Sequence, residues 1–172
     1  MANIGLIWEL GADLGHITRF ALVADALAKR GHQCVMVLRD TTRMQAISSS
    51  LPSVPYLQAP ISHRRPTGLP PALNFTETLL SIGFSDAETL TGLVSAWRNC
   101  FAQIRPDLLV FDHAPIAQLA ASDLPCAQAI LANTFAIPPG DTFPSYRFWL
   151  DEPDTKKRMA TSYSHCLSNA KE

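Results

Sequence analysis

The sequence predicts an α/β fold, a doubly wound parallel sheet of Rossmann-like type, on three observations. Short apolar runs alternate with segments of helical periodicity along the chain. The runs are continuously apolar, which is typical of parallel strands covered on both faces. With 172 residues, 47% apolar and 17% charged, the chain is long enough to bury one ordinary core. We therefore expect one domain over residues 1–172.

The first forty residues predict a strand, a helix and a second strand. The apolar run Ile4–Trp8 predicts the first strand. Apolar side chains from Ile17 to Ala28 then recur on one helical face, and Gly31 is placed to end the helix. The run Cys34–Leu38 predicts the second strand. These elements form a βαβ unit with a right-handed crossover.

The remaining elements are predicted from the same two patterns. In chain order they are a short helix at 40–50, a strand at 54–57, a short helix at 75–82, a helix from a capping box at 85–88 to Ile104, a strand at 108–111, a helix at 116–122, a strand at 127–131 and a helix at 154–170. Proline-rich loops are expected at 60–74 and 133–149, and loops of this length are usually functional.

Composition and charge exclude several classes of protein. The formal net charge is −1 with mixed signs, so the chain lacks the basic surface that nucleic acids or anionic membranes select. Four cysteines occur without a CxxC pair, which indicates reduced thiols and a cytoplasmic protein. Apolar runs are broken by charges before they reach the length of a membrane span, and no leader peptide is predicted.

His16 and Asp112 are the candidate catalytic residues. His16 lies in the glycine-bearing turn after the first strand, and Asp112 follows the fourth strand. In the expected strand order 3-2-1-4-5 these two strands are neighbours, and their carboxyl ends face the ligand crevice. A neutral imidazole can accept a proton from a hydroxyl, and a carboxylate on its far nitrogen fixes the tautomer. The helix N-terminus beside His16 disfavours the charged ring.

Structural roles remain open for both residues. A histidine in such a turn often caps or packs, and an aspartate after a strand often caps the next helix. His113, together with His63 and His165, is expected at the surface or in a local cap. The turn could also approach a phosphate, but neither GxGxxG nor the Walker lysine is present.

Weaker candidates for ligand contacts lie near the same crevice. Gly15 and Glu9 belong to the first turn, although ordinary turn roles explain them as well. Aromatic side chains of the second long loop could wall an apolar pocket, and core packing explains them almost equally; they include Phe135, Phe143 and Trp149.

Two segments carry a resemblance to a known family. GADLGHITRFALVADALAKRGHQCVMVLRD resembles the start of GT-B glycosyltransferases, most closely the UDP-glycosyltransferases of family 1 type and more distantly the MurG type. PDLLVFDHAPIAQLAA resembles a later segment of the same N-terminal domain, and the loop NTFAIPPGDTFPSYRFW is similar to the one after its fifth strand. The resemblance covers roughly residues 3 to 150.

The resemblance implies two Rossmann-like domains facing a cleft, the N-terminal one binding the acceptor and the C-terminal one the nucleotide sugar. The histidine of the GH turn, here His16, is then the general base on the acceptor hydroxyl, and Asp112 pairs with it. Gly15, Glu9, Phe135, Phe143 and Trp149 become candidates for acceptor binding. Transfer is a direct displacement with inversion, without a metal or a bound cofactor, and the nucleotide sugar is a co-substrate.

The chain departs from this family by lacking any nucleotide-sugar signature. We expect the acceptor-binding half of a glycosyltransferase, inactive by itself and truncated near the end of its domain. It is then a fragment or one subunit of a split enzyme, partnered by a separate donor-binding domain and by a small or lipid-like acceptor. Two alternatives remain: a non-catalytic Rossmann-like binding module, and a fragment of a nucleotide-sugar 2-epimerase.

Overall fold

A computed structural model of the protein describes residues 1–12, 14–46, 54–63, 66–69, 71–131 and 153–171. Its elements follow the predicted order of strands and helices. They are β1 (Asn3–Trp8), α1 (Leu14–Ala28), β2 (Gln33–Leu38), a 3₁₀ helix (Thr41–Ala46), β3 (Tyr56–Gln58), α2 (Phe75–Leu79), a π-helical turn (Leu80–Phe84), α3 (Ala87–Ile104), β4 (Leu108–Asp112), α4 (Pro115–Ala121), β5 (Ala127–Ile130) and α5 (Pro153–Asn169).

Two local predictions need correction. The short helix expected at 75–82 stays α-helical only to Leu79, and the π-helical turn that follows contains Gly83 with a φ of 143°. The predicted capping box at 85–88 is also wrong in register. Asp86 rather than Ser85 accepts the hydrogen bond at the start of α3, from the N–H of Thr89 at 2.7 Å.

The five strands form one parallel sheet in the order β3-β2-β1-β4-β5, which confirms the predicted doubly wound fold. β1 and β4 lie side by side over the whole length of β4, from Ile4 beside Leu108 to Trp8 beside Asp112. Because the strands are parallel and in this register, their carboxyl ends finish together at one edge of the sheet.

The core places α1 against one face of β1. Alternate residues of a strand point to the same face, so Ile4, Leu6 and Trp8 share a buried cluster, with Ile17 and Phe20 of α1 packed against them. The last member of this stripe, Trp8, therefore lies next to the first turn of α1. That turn carries His16.

The chain divides into two compact units, residues 1–60 with 94–132, and residues 61–93 with 133–172. The first contains the sheet. In the second, α2 and α5 are joined by the buried carboxylate of Glu77, which accepts hydrogen bonds from Arg158 Nε at 2.7 Å and Nη2 at 2.5 Å. The expectation of one domain over residues 1–172 stays a prediction. Within the described residues, no helix combines the length and apolar character needed to cross a membrane.

Candidate active site

The edge where β1 and β4 end together holds the two predicted catalytic residues. His16 is the third residue of α1, and Asp112 is the last residue of β4. His16 Nδ1 lies 2.9 Å from Asp112 Oδ2, and the exposed fractions of the two side chains are 18% and 1%. The N–H direction of the ring is not aligned with the carboxylate well enough for a hydrogen bond. Catalytic hydrogen bonds are often poorly aligned before a substrate binds.

Asp112 does not cap the helix that follows it. The N-cap position of α4 is Ala114, whose side chain offers no acceptor. The free N–H groups of Ile116 and Ala117 instead donate to Glu9 Oε2, each at 3.0 Å. The carboxylate of Asp112 therefore does not cap α4, and it contacts His16 and Arg19 of α1 instead.

Glu9 has a structural position that the sequence did not predict. Its side chain is 2% exposed and ties the end of β1 to the start of α4. Burial raises the pKa of the Glu9 carboxyl to about 8. The two backbone N–H groups and the charge of Arg39 lower this pKa, but burial has the larger effect. The predicted contact of Glu9 with a ligand stays a prediction.

Arg19 is a member of the site that the sequence interpretation missed. It lies one helical turn after His16, and its Nη1 is 3.1 Å from Asp112 Oδ2 and 3.4 Å from the carbonyl oxygen of Leu131. The carboxylate oxygen that faces His16 is thus shared with a guanidinium. The i, i+3 spacing of a histidine and an arginine on one predicted helix was the available signal.

Two other rings stack with the imidazole of His16. Trp8 stacks on it with centroids 5.1 Å apart and planes 15° from parallel. His113 stacks at 6.4 Å and 27°. His113 is half-buried beside His16 rather than fully at the surface, and its local capping role stays a prediction. Its φ of 50° is in the left-handed region, where asparagine, aspartate and histidine are enriched among residues other than glycine. Burial lowers the pKa of His113, and the neighbouring His16 lowers it further.

The two glycines of the turn have different surroundings. A Cβ on Gly11 would lie 2.6 Å from His16 Nε2, and Gly11 has a φ of 100°, so both space and backbone require glycine there. A Cβ on Gly15 would meet no atom within 4 Å, and Gly15 is exposed. The predicted ligand contact of Gly15 stays a prediction. Phe135, Phe143 and Trp149 lie outside the described residues.

No cluster that could hold a metal ion occurs among the described His, Cys, Asp and Glu side chains. All four cysteines carry free thiols. The titratable and charged side chains that meet at this edge are those of His16, Asp112, Arg19 and His113.

Solved structures with a similar fold include glycosyltransferases. UGT2 of Phytolacca americana matches with a TM-score of 0.53 in its apo form, at 16% identity, over 99% of this chain and 43% of that one. Its complex with UDP-2fluoro-glucose and pterostilbene matches with a TM-score of 0.54, at 15% identity, over 99% of this chain and 45% of that one. The calicheamicin glycosyltransferase CalG4 matches with a TM-score of 0.49, at 16% identity, over 76% of this chain and 32% of that one.

These matches show the fold class of the chain and how much of the matched structures the chain spans. The chain has a UDP-glycosyltransferase-like fold of the GT-B type, and it spans less than half the length of the UGT2 structures that it matches. No protein-family model matches the sequence, and none of the curated proteins matches it significantly.

Proposed function

We propose that the chain is the acceptor-binding domain of an inverting, nucleotide-sugar-dependent glycosyltransferase, with His16 as the general base and Asp112 as its partner. The observation that carries this proposal is the 2.9 Å approach of His16 Nδ1 to a buried carboxylate at the carboxyl edge of β1 and β4. Ligands bind at this edge in doubly wound sheets, and the fold is that of known glycosyltransferases.

The geometry supports a simple order of events. Asp112 favours the tautomer with the proton on Nδ1, which leaves the lone pair of Nε2 directed away from the carboxylate. Nε2 takes the proton of the acceptor hydroxyl as that oxygen forms a bond to the anomeric carbon. The bond from the anomeric carbon to the diphosphate oxygen breaks, its electron pair leaves with the nucleotide, and the configuration inverts. Asp112 stabilises the imidazolium that results.

In this proposal the nucleotide sugar binds to a second domain or subunit. The 172-residue chain by itself is therefore expected to bind the acceptor without converting it. The acceptor is a small or lipid-like hydroxyl compound, with Phe135, Phe143 and Trp149 proposed as part of its apolar wall. The four free thiols favour a reducing compartment such as the cytoplasm.

The test uses the chain completed by a donor-binding domain, with release of nucleoside diphosphate as the readout across a panel of phenolic and aliphatic alcohols. His16→Ala should lower turnover by about 10²- to 10⁴-fold, the usual contribution of a general base, while the fold is retained. His63→Ala removes an exposed histidine and is the matched control.

Near-normal turnover by the His16→Ala protein would eliminate the base assignment. Acceptor binding without turnover by the completed wild-type protein would favour the non-catalytic binding module instead.

A further inference from the structure

One oxygen of Asp112 contacts two nitrogen-bearing side chains. Oδ2 lies 2.9 Å from His16 Nδ1 and 3.1 Å from Arg19 Nη1, and the carboxyl group is almost entirely buried. Arg19 also reaches the carbonyl oxygen of Leu131, just after β5. The guanidinium thus connects α1 to the ends of β4 and β5, and it approaches the same oxygen that faces the candidate base.

A lone buried carboxylate beside an imidazole stabilises the charged form of the ring. A ring that is already charged cannot accept a proton, so an unshared Asp112 would lower the fraction of His16 that is neutral and available as a base. Arginine keeps its charge at every physiological pH, and it offsets the negative charge of a carboxylate that it contacts.

We propose that Arg19 is a positioning residue that acts on His16 through Asp112. It takes up part of the charge of the carboxylate, so that Asp112 orients the imidazole without holding it in the protonated form. The catalytic meaning of this inference rests on the proposed function. The electrostatic relation among Arg19, Asp112 and His16 does not, and it can be measured in the chain by itself.

Other titratable or charged groups also face this edge. His113 follows β4 and stacks on His16, and Glu9 lies at the end of β1. Arg39, after β2, lies near enough to lower the pKa of both. These three groups stay unchanged in the variants described next, so their effects cancel when the variants are compared.

The experiment records the ring nitrogen NMR signals of His16 in the whole chain, assigned by their absence from a His16→Phe protein. At pH 7, Arg19→Met should shift the ratio of charged to neutral His16 roughly tenfold toward the charged form, as expected when a carboxylate loses a competing cation. Arg19→Lys should remain near wild type. Arg30→Met is the matched control, because Arg30 lies just beyond α1 and donates to Ala26 of that helix.

Repeating the Arg19→Met change in an Asp112→Asn protein shows whether Arg19 acts on His16 through Asp112. With Asp112→Asn, Arg19→Met removes only the direct repulsion between Arg19 and the ring, so the shift should fall to a small part of its former size. Equal shifts in both backgrounds, or no shift in either, would overturn the inference. If Arg19→Met does not fold, Arg19→Gln removes the same charge while keeping a donor to Asp112. The ring signals report whether or not a completed enzyme is active, so failure of this inference and failure of the proposed function give different results.

Discussion

Replacing Gly11 with alanine tests how closely the His16 ring is confined. The added Cβ would lie 2.6 Å from His16 Nε2, whereas ordinary contacts between carbon and nitrogen are about 3.5 Å. The ring would have to retreat by about 0.9 Å, the difference between these two distances. Because Trp8 and His113 both stack on the ring, its freedom to move is reduced.

Two magnitudes follow from this geometry. Displacement of a catalytic group by about 1 Å costs on the order of 100-fold in rate, so kcat/KM of the donor-completed protein should fall by about that factor. The φ of 100° at Gly11 adds a backbone cost of about 1–3 kcal/mol for alanine. Urea unfolding of the Gly11→Ala chain should show that loss of stability directly.

Gly15→Ala is the matched control in the same turn. Its added Cβ meets nothing within 4 Å, and Gly15 is the second residue of α1, where alanine is favoured over glycine by less than the value of about 1 kcal/mol that holds in a helix interior. The variant should be slightly more stable and keep its kcat; if Gly15 contacts the acceptor, KM alone should rise. Wild-type kcat/KM in a folded Gly11→Ala protein would show that the space beside Nε2 is not required, and would refute the reasoning.

Two further predictions concern buried charges. Burial raises the pKa of Glu9 from 4.5 to about 8, so between these values the folded chain holds a proton that the unfolded chain has released. The free energy of unfolding should therefore fall by up to about 1.4 kcal/mol per pH unit as pH rises through that window. Urea unfolding at pH 5, 6.5 and 8 should show this fall in the wild type and not in Glu9→Gln. Parallel plots of unfolding free energy against pH for the two proteins would contradict this prediction. Arg158→Met leaves Glu77 buried without its cation, so it should lower the free energy of unfolding by about 3 kcal/mol in the same assay. Lys157→Met, which replaces an exposed lysine, is the control and should change it little. Equal losses in the two variants would show that the Arg158–Glu77 pair contributes nothing specific to stability.

Much of the fold was predictable because its signals are local. A strand covered on both faces must be nearly continuously apolar, and β1, β2 and β4 are apolar except for one terminal residue each, Asn3, Gln33 and Asp112. The approach of His16 to Asp112 followed from strand order, since neighbouring parallel strands end at one edge. The resemblance to GT-B enzymes pointed to the same two residues, and the catalytic roles of both remain proposals.

Contacts between distant side chains were not predictable in the same way. Asp112 matched the pattern of a helix cap as well as that of a catalytic carboxylate, and only the placement of Glu9 at the start of α4 excludes the cap. Arg19 looked like an ordinary helical cation. Its contact with Asp112 spans 93 positions of sequence, and it depends on the rotation of α1 over the sheet, which a periodic pattern does not specify.

The sequence by itself determined the order of the strands, the turn that carries His16 and the sheet edge where Asp112 would meet it. Apolar periodicity and glycine placement are properties of neighbouring residues, so they can be read along the chain. The tertiary structure decided which groups share the carboxylate, which ring faces His113 and why Gly11 must lack a side chain. Those outcomes depend on distances of a few ångströms between packed elements, and packing is settled only when the whole core is assembled.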